Sequence, residues 1–235
     1  DDSLKYGHLK ILLDEDNLPN LAALEERIRR ARRKNRGVAF HCVSHVELLF
    51  ALAALENCRS SVLGGSFSDR IEHGSLIFDD VLPLLKDLNL TIVTQPGFLL
   101  DRGVQYQKDL TPIEVDHLYR FKTLLDSGLP VGLSSDAPYG PLNPWVVMQC
   151  AVDRLTATGQ VLGAAERCMP QQALASYISE KHSPGGSLRR VAVGETADLC
   201  LLDKKWLDVE DNLAEASVAA TIIRGQKVYS AVQQL

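Results

Sequence analysis

The sequence has no hydrophobic run long enough to cross a membrane. A transmembrane helix needs about 20 consecutive apolar residues, and charged or polar residues interrupt every apolar run well before that length. The first residues, DDSLKYG, also lack the basic and apolar regions of a signal peptide. We therefore expect a cytoplasmic protein with no membrane partner.

The cysteine pattern of a disulfide framework is absent too. The five cysteines are odd in number and form no CxxC pair, which favours a reducing compartment. Cys42 follows His41 directly, but neighbouring residues of a strand point to opposite faces. We therefore expect Cys42 to pack against a helix.

A strong net charge is also lacking. The formal charge of -5 and the pI of about 5.7 provide no general attraction to nucleic acid. One segment, residues 27–36, carries seven positive charges. Because no aromatic residues are interleaved with these charges, we interpret the segment as a solvated helix end rather than a phosphate-binding patch. No nucleic-acid partner is expected.

What the chain does contain is apolar sequence. Hydrophobic residues make up 46% of its 235 residues, enough to bury the core of one or two domains. Four short apolar runs each end in polar side chains. The polar residues at the ends of the four runs are His41, Glu72 with His73, Thr94 with Gln95, and Asp136. A single aspartate after a strand is more often a turn former or a helix cap. A functional site is indicated because four predicted strands end in polar residues in the same way.

The spacing of these ends predicts successive strand and helix units. His41 and His73 are 32 residues apart (73 − 41), and Asp136 follows His73 by 63 residues (136 − 73). One strand with its return helix takes roughly 30 residues. The two distances therefore correspond to one and to two such units, with the Gln95 strand between His73 and Asp136. One step back from His41 reaches Lys10, in another apolar run. Amphipathic patterns predict helices over residues 21–31, 46–56, 79–88, 111–127, 143–156 and 170–181. The alternation predicts an α/β fold with a parallel sheet, either doubly wound or part of a (β/α)8 barrel.

In both architectures the carboxyl ends of the strands face the ligand, so these polar side chains are expected to converge. Imidazoles and carboxylates suit Zn²⁺ and related divalent metals. The ammonium of Lys10 cannot bind a cation, but carbon dioxide converts the amine to an anionic carbamate. A divalent metal bound by these side chains would activate water and polarise a carbonyl for amide or ester hydrolysis. Asp136 could then take the proton of that water. A metal-free alternative is a lyase or isomerase that forms a Schiff base at Lys10.

Four motifs, HCVSHVEL, RIEHGSLI, TQPGF and GLSSDAPYGPLNPW, in this order and spacing, resemble the amidohydrolase superfamily, specifically the amidohydrolase family 3 group of metal-dependent hydrolases. The resemblance implies strands four to eight of a (β/α)8 TIM barrel over residues 1–190. It also implies the C-terminal strands of a small β-sandwich over residues 191–235, where GETADLCLLD and ATIIRGQKVYS are strand patterns.

The resemblance also implies a site. By position, the metal ligands are His41, His73 and Asp136, with Lys10 as the carboxylated lysine. The complete enzyme would hold one or two ions, with zinc expected, and Asp136 would be the catalytic residue. The loops that face a small-molecule substrate would carry Gln95, Phe98, Tyr139 and Trp145.

The first-strand His-x-His motif of this family is absent, so the chain is expected to be the C-terminal portion of a longer enzyme. From the family resemblance, we expect a hydrolase of amide, cyclic amide or related C–N bonds. The alternative is a catalytically inactive fragment that serves as a structural or interaction unit without metal. Open sheet edges would favour a homo-oligomer.

Overall fold

The computed structural model describes residues 6–60, 68–180 and 182–231. Two sheets organise this part of the chain: a parallel sheet of five strands in the order β1-β2-β3-β4-β5, and an antiparallel sheet of three in the order β6-β7-β8. The strands are β1 (Leu9–Leu12), β2 (Val38–Cys42), β3 (Arg70–His73), β4 (Thr91–Thr94), β5 (Val131–Leu133), β6 (Leu199–Leu202), β7 (Val218–Ile223) and β8 (Gln226–Ser230).

The order of the five parallel strands follows the chain. A doubly wound sheet requires a point at which the strand order reverses, and the described strands contain none. The parallel sheet with helices between its strands confirms the α/β prediction. The sequential strand order shows that the doubly wound alternative is wrong.

Helices connect the strands. They are α1 (Leu21–Arg33), α2 (His45–Asn57), α3 (Leu82–Asp87), α4 (Gly97–Asp109), α5 (Pro112–Asp116), α6 (Phe121–Asp126), α7 (Pro144–Asp153), α8 (Pro170–Tyr177) and α9 (Trp206–Val209). The prediction for residues 170–181 ran too far, since α8 ends at Tyr177; Lys181 lies outside the described residues. No helix in the described ranges is long and apolar enough to span a bilayer.

The main core lies between one face of the parallel sheet and these helices. Alternate residues of the five strands point to it, and each has no exposed surface: Ile11, Phe40, Ile71, Ile92 and Val131. They pack against apolar residues of α1 and α2 such as Ile28 and Leu52. Cys42 is in the same core, which confirms that it packs against the helices rather than facing the other side.

The segment between β6 and β7 packs back onto the larger part of the molecule. Leu213 is fully buried in the main core, and the Ala214 N–H donates to Oε1 of Gln149 in α7 at 3.3 Å. Gln171 in α8 donates to the Glu210 carboxylate at 2.6 Å. These contacts attach the antiparallel sheet to the helices that surround the parallel one. The division at residues 190 and 191 stays a prediction.

The predicted helix over residues 111–127 is wrong, because the chain breaks between α5 and α6. Tyr119 has φ of +46°, outside the helical region. The guanidinium of Arg154 donates to Leu118 O at 2.6 Å, to Tyr119 O at 2.9 Å and to Leu162 O at 2.6 Å. Two of these carbonyls belong to the bend between α5 and α6 and the third to the segment at Leu162, so a buried arginine stabilises the break in the helix.

Arg154→Met is expected to lower the free energy of unfolding by about 3 kcal/mol, because three buried carbonyls lose their donor. Urea denaturation monitored by circular dichroism measures the change. The control is Arg59→Met, which removes an exposed arginine that pairs with Glu56 and Asp87; a surface pair contributes about 0–1 kcal/mol. Equal losses in the two variants would contradict the role given to Arg154.

Candidate metal centre

Two candidate ligands, Lys10 and His41, lie on the face of the parallel sheet opposite the main core. Lys10 is the second residue of β1 and pairs in register with Ala39, while His41 of β2 pairs with Leu12 on one side and Glu72 on the other. Because side chains alternate between faces along a strand, Lys10 and His41 point to the same side of the sheet, one step apart. Lys10 lies within its strand and not at the end of it.

His73 reaches this face by an unusual backbone conformation. It pairs in register with Cys42, whose side chain faces the main core, so regular alternation would bury the imidazole there as well. Instead His73 has φ of +71°, an uncommon value for a residue other than glycine. The imidazole lies against that of His41, with 4.4 Å between ring centroids and 74° between ring planes. Such outliers cluster at functional sites.

Asp136 lies in the loop after β5 and also has a left-handed backbone, with φ of +51°. Its carbonyl accepts a hydrogen bond from Tyr139 N at 2.9 Å, which closes a turn, and its side chain is exposed. Burial lowers the pKa of Lys10, His41 and His73, and the negative charge of Asp136 partly opposes that shift at all three predicted positions.

Burial and neighbouring cationic groups lower the pKa of both imidazoles. Burial first, and then the neighbouring His41, lower the pKa of His73 to about 4. Burial followed by the charge of Lys10 lowers the pKa of His41. Burial of its ammonium group also lowers the pKa of Lys10, although the residue as a whole is exposed. Neutral imidazoles are the form that binds a metal ion, and a neutral amine is the form that reacts with carbon dioxide.

The donor set fits a divalent metal in part. Nδ1 of His73 is a buried nitrogen without a hydrogen bond of good geometry. Among the residues that the structure describes, no three His, Cys, Asp or Glu side chains lie close enough together to hold a metal ion. His41 and His73 would therefore provide at most two ligands, and further donors would have to come from Lys10, from movement of Asp136, or from a group outside the described residues.

The four predicted substrate-facing residues differ in setting. Gln95 follows β4 directly and is buried, whereas Tyr139 is 68% exposed in the loop after Asp136. Phe98 and Trp145 are not in loops as predicted: Phe98 is in α4, which the helical patterns missed, and Trp145 is in α7, half-buried against the main core. Phe98 stacks over His73 at 6.2 Å between ring centroids. Substrate contact by these four stays a prediction.

One residue near the site was missed by the sequence interpretation. The Glu47 carboxylate is buried and accepts hydrogen bonds from Val43 N at 2.6 Å and from Ser44 N at 3.1 Å. Ser44 in turn caps α2. The signal was available, because Ser-x-x-Glu before an apolar run is a capping box. Its effect is to fix the segment that joins His41 to α2.

Comparison with known proteins adds the family. A family model described as the amidohydrolase family matches residues 8–229. The chain is 27% identical over 202 residues to the N-substituted formamide deformylase of Arthrobacter pascens, which covers 83% of this chain and 37% of that protein. The chain spans less than half the length of the curated relatives that it matches.

Solved structures agree with the fold. An uncharacterized metal-dependent hydrolase from Pyrococcus horikoshii is 28% identical with a TM-score of 0.60, over 72% of this chain and 35% of that one. The ochratoxinase of A. niger is 19% identical with a TM-score of 0.63, over 91% of this chain and 46% of that one; at that identity the likeness concerns the fold alone.

Proposed function

Because this chain belongs to the amidohydrolase family, we propose that it carries part of the metal centre of a hydrolase that cleaves a C–N bond of an amide, cyclic amide or related small molecule. In this proposal β1 to β5 are strands four to eight of a (β/α)8 barrel, and β6 to β8 are the C-terminal strands of a small β-sandwich. The metal-dependent hydrolase from Pyrococcus horikoshii and the formamide deformylase support the reaction class.

The observation that carries the proposal is the contact between the His41 and His73 rings at 4.4 Å. Two imidazoles on adjacent strands, both with lowered pKa, have little reason to be brought together by a left-handed backbone in a sheet that is otherwise regular. Held as neutral donors, they can share one cation. A structural role would have been served by apolar side chains.

The other residues then take distinct roles. When bound by these residues, a divalent ion, zinc by its preference for imidazole nitrogen, would supply a water of lowered pKa and would polarise a carbonyl. Burial lowers the pKa of Lys10, which favours the neutral amine that forms a carbamate, and the carbamate would contribute oxygen. The Asp136 carboxylate is exposed in its loop and can orient the attacking water, take its proton and return it to the leaving nitrogen.

Metal content tests the proposal. After incubation with Zn²⁺ and bicarbonate followed by dialysis, elemental analysis of the wild-type chain is expected to find about one ion per chain. The alternative function, a structural unit without metal, predicts none under the same conditions. A result of no bound zinc, manganese or iron would overturn the proposed metal centre in this chain.

A further inference from the structure

Gln95 lies at the junction between β4 and the loop that carries Asp136. Its side chain is buried, with 2% of the residue exposed. The amide nitrogen donates to Val93 O at 3.0 Å and to Ser134 Oγ at 2.8 Å. Both amide hydrogens are therefore used, and they fix which way the amide points. Ser134 is two residues before Asp136, so the same amide attaches that loop to β4.

The amide oxygen of Gln95 is a hydrogen-bond acceptor, and the imidazole of His73 carries a hydrogen-bond donor that could pair with it. Oε1 of Gln95 and Nδ1 of His73 are both buried, and neither makes a hydrogen bond of good geometry. Glu72 of β3 pairs in register with Val93 of β4, so His73 and Gln95 lie one and two residues beyond that pair at the ends of adjacent strands. A hydrogen bond between Oε1 and Nδ1–H would satisfy both buried atoms at once.

We propose that Gln95 is a positioning residue whose Oε1 accepts a hydrogen bond from Nδ1–H of His73, and so fixes the tautomer in which Nε2 carries the free lone pair. Metal-binding histidines commonly donate their other ring N–H to such a partner, which sets the tautomer and the ring orientation. The inference depends on the proposed function only for what Nε2 binds. It gives Gln95 a role beneath the metal site instead of the substrate contact predicted from its position in the sequence.

The tautomer can be measured without metal. In the ¹⁵N-histidine-labelled wild-type chain at pH 7.5, long-range ¹H–¹⁵N spectra are expected to show His73 protonated at Nδ1, with His73→Ala identifying its signals. Gln95→Met keeps the size of the side chain but removes the acceptor, and is expected to lose the preference for Nδ1–H. Gln95→Glu keeps an acceptor oxygen and is expected to retain it.

Thr94→Val is the matched control. Thr94 is the neighbouring residue, is fully buried, and also carries a polar atom without a hydrogen bond of good geometry. Its replacement is expected to leave the His73 tautomer unchanged. Zn²⁺ affinity is expected to fall about 10–100-fold in Gln95→Met, the range typical for partners of metal ligands, and to stay near the wild-type value in Thr94→Val.

Two results would overturn the inference. One is a wild-type His73 protonated at Nε2, which requires no variant to fold. The other is an unchanged tautomer in Gln95→Met. A wild-type chain with His73 protonated at Nδ1 that binds no Zn²⁺ would contradict the proposed function and support the positioning role, so the two failures are distinguishable.

Discussion

His73→Ala is expected to weaken Zn²⁺ binding by more than about 100-fold, beyond the 10–100-fold loss typical for residues that only support a ligand. The variant removes one of two imidazoles whose rings meet at 4.4 Å, and His41 alone cannot chelate an ion. The pKa of about 4 for His73 means that protons do not compete for it near neutral pH. Competition of the chain with a fluorescent zinc chelator measures the affinity.

The matched control is His117→Ala. His117 is a half-buried histidine whose ring packs against Phe78, with 4.6 Å between ring centroids. Its loss is expected to leave zinc affinity within about threefold, whereas His41→Ala should behave like His73→Ala. Equal zinc affinity in the wild type and in both site variants would show that these two imidazoles are not ligands.

Asp136→Asn is expected to separate catalysis from metal binding. The asparagine keeps an oxygen and nearly the same shape but cannot accept the proton of the attacking water. For a general base this loss typically reduces the rate by about 10²–10⁴-fold. Metal content should be unchanged, because the histidines remain. The readout is kcat for hydrolysis of an amide of the proposed substrate class by the zinc-loaded protein, with metal content determined on the same samples.

Asp80→Asn serves as the control, because it makes the same chemical change at an exposed position outside the site. It is expected to keep full activity. An Asp136→Asn variant as active as the wild type would rule out the proton-accepting role. A variant that loses its metal together with its activity would identify Asp136 as a ligand and not as the base.

Strands β2 and β4 were predictable because they are buried along almost their whole length, which makes each of them a short, largely apolar run. Val38 to Phe40 and Thr91 to Val93 are too short for a typical helix, and the spacing of roughly one strand and helix unit follows from the length of the connection. The order β1 to β5 then needed only the rule that sequential units lie side by side.

The break between α5 and α6 was not predictable from local pattern. Residues 111–127 satisfy helical periodicity, but the conformation of Tyr119 is decided by Arg154, which is 35 residues away in sequence. Helix α4 was missed because it begins at Gly97, directly after Pro96, and proline followed by glycine suggests a loop.

At the site, residue types were predictable and orientations were not. The sequence places His41 and His73 at successive strand ends, which predicts that they lie near each other. Whether their side chains meet depends on one φ angle at His73, followed by Gly74. The role of Gln95 depends on hydrogen bonds to Val93 and Ser134, which no spacing in the sequence encodes.

X-ray absorption at the zinc edge of the metal-loaded wild-type chain tests whether His41 and His73 bind the ion. We expect nitrogen and oxygen ligands at about 2.0–2.1 Å, with the outer-shell scattering of two imidazoles and no sulfur. Sulfur at about 2.3 Å would place the ion on a cysteine, and a spectrum without imidazole scattering would remove His41 and His73 from the site. Either result would contradict the metal centre proposed for this chain.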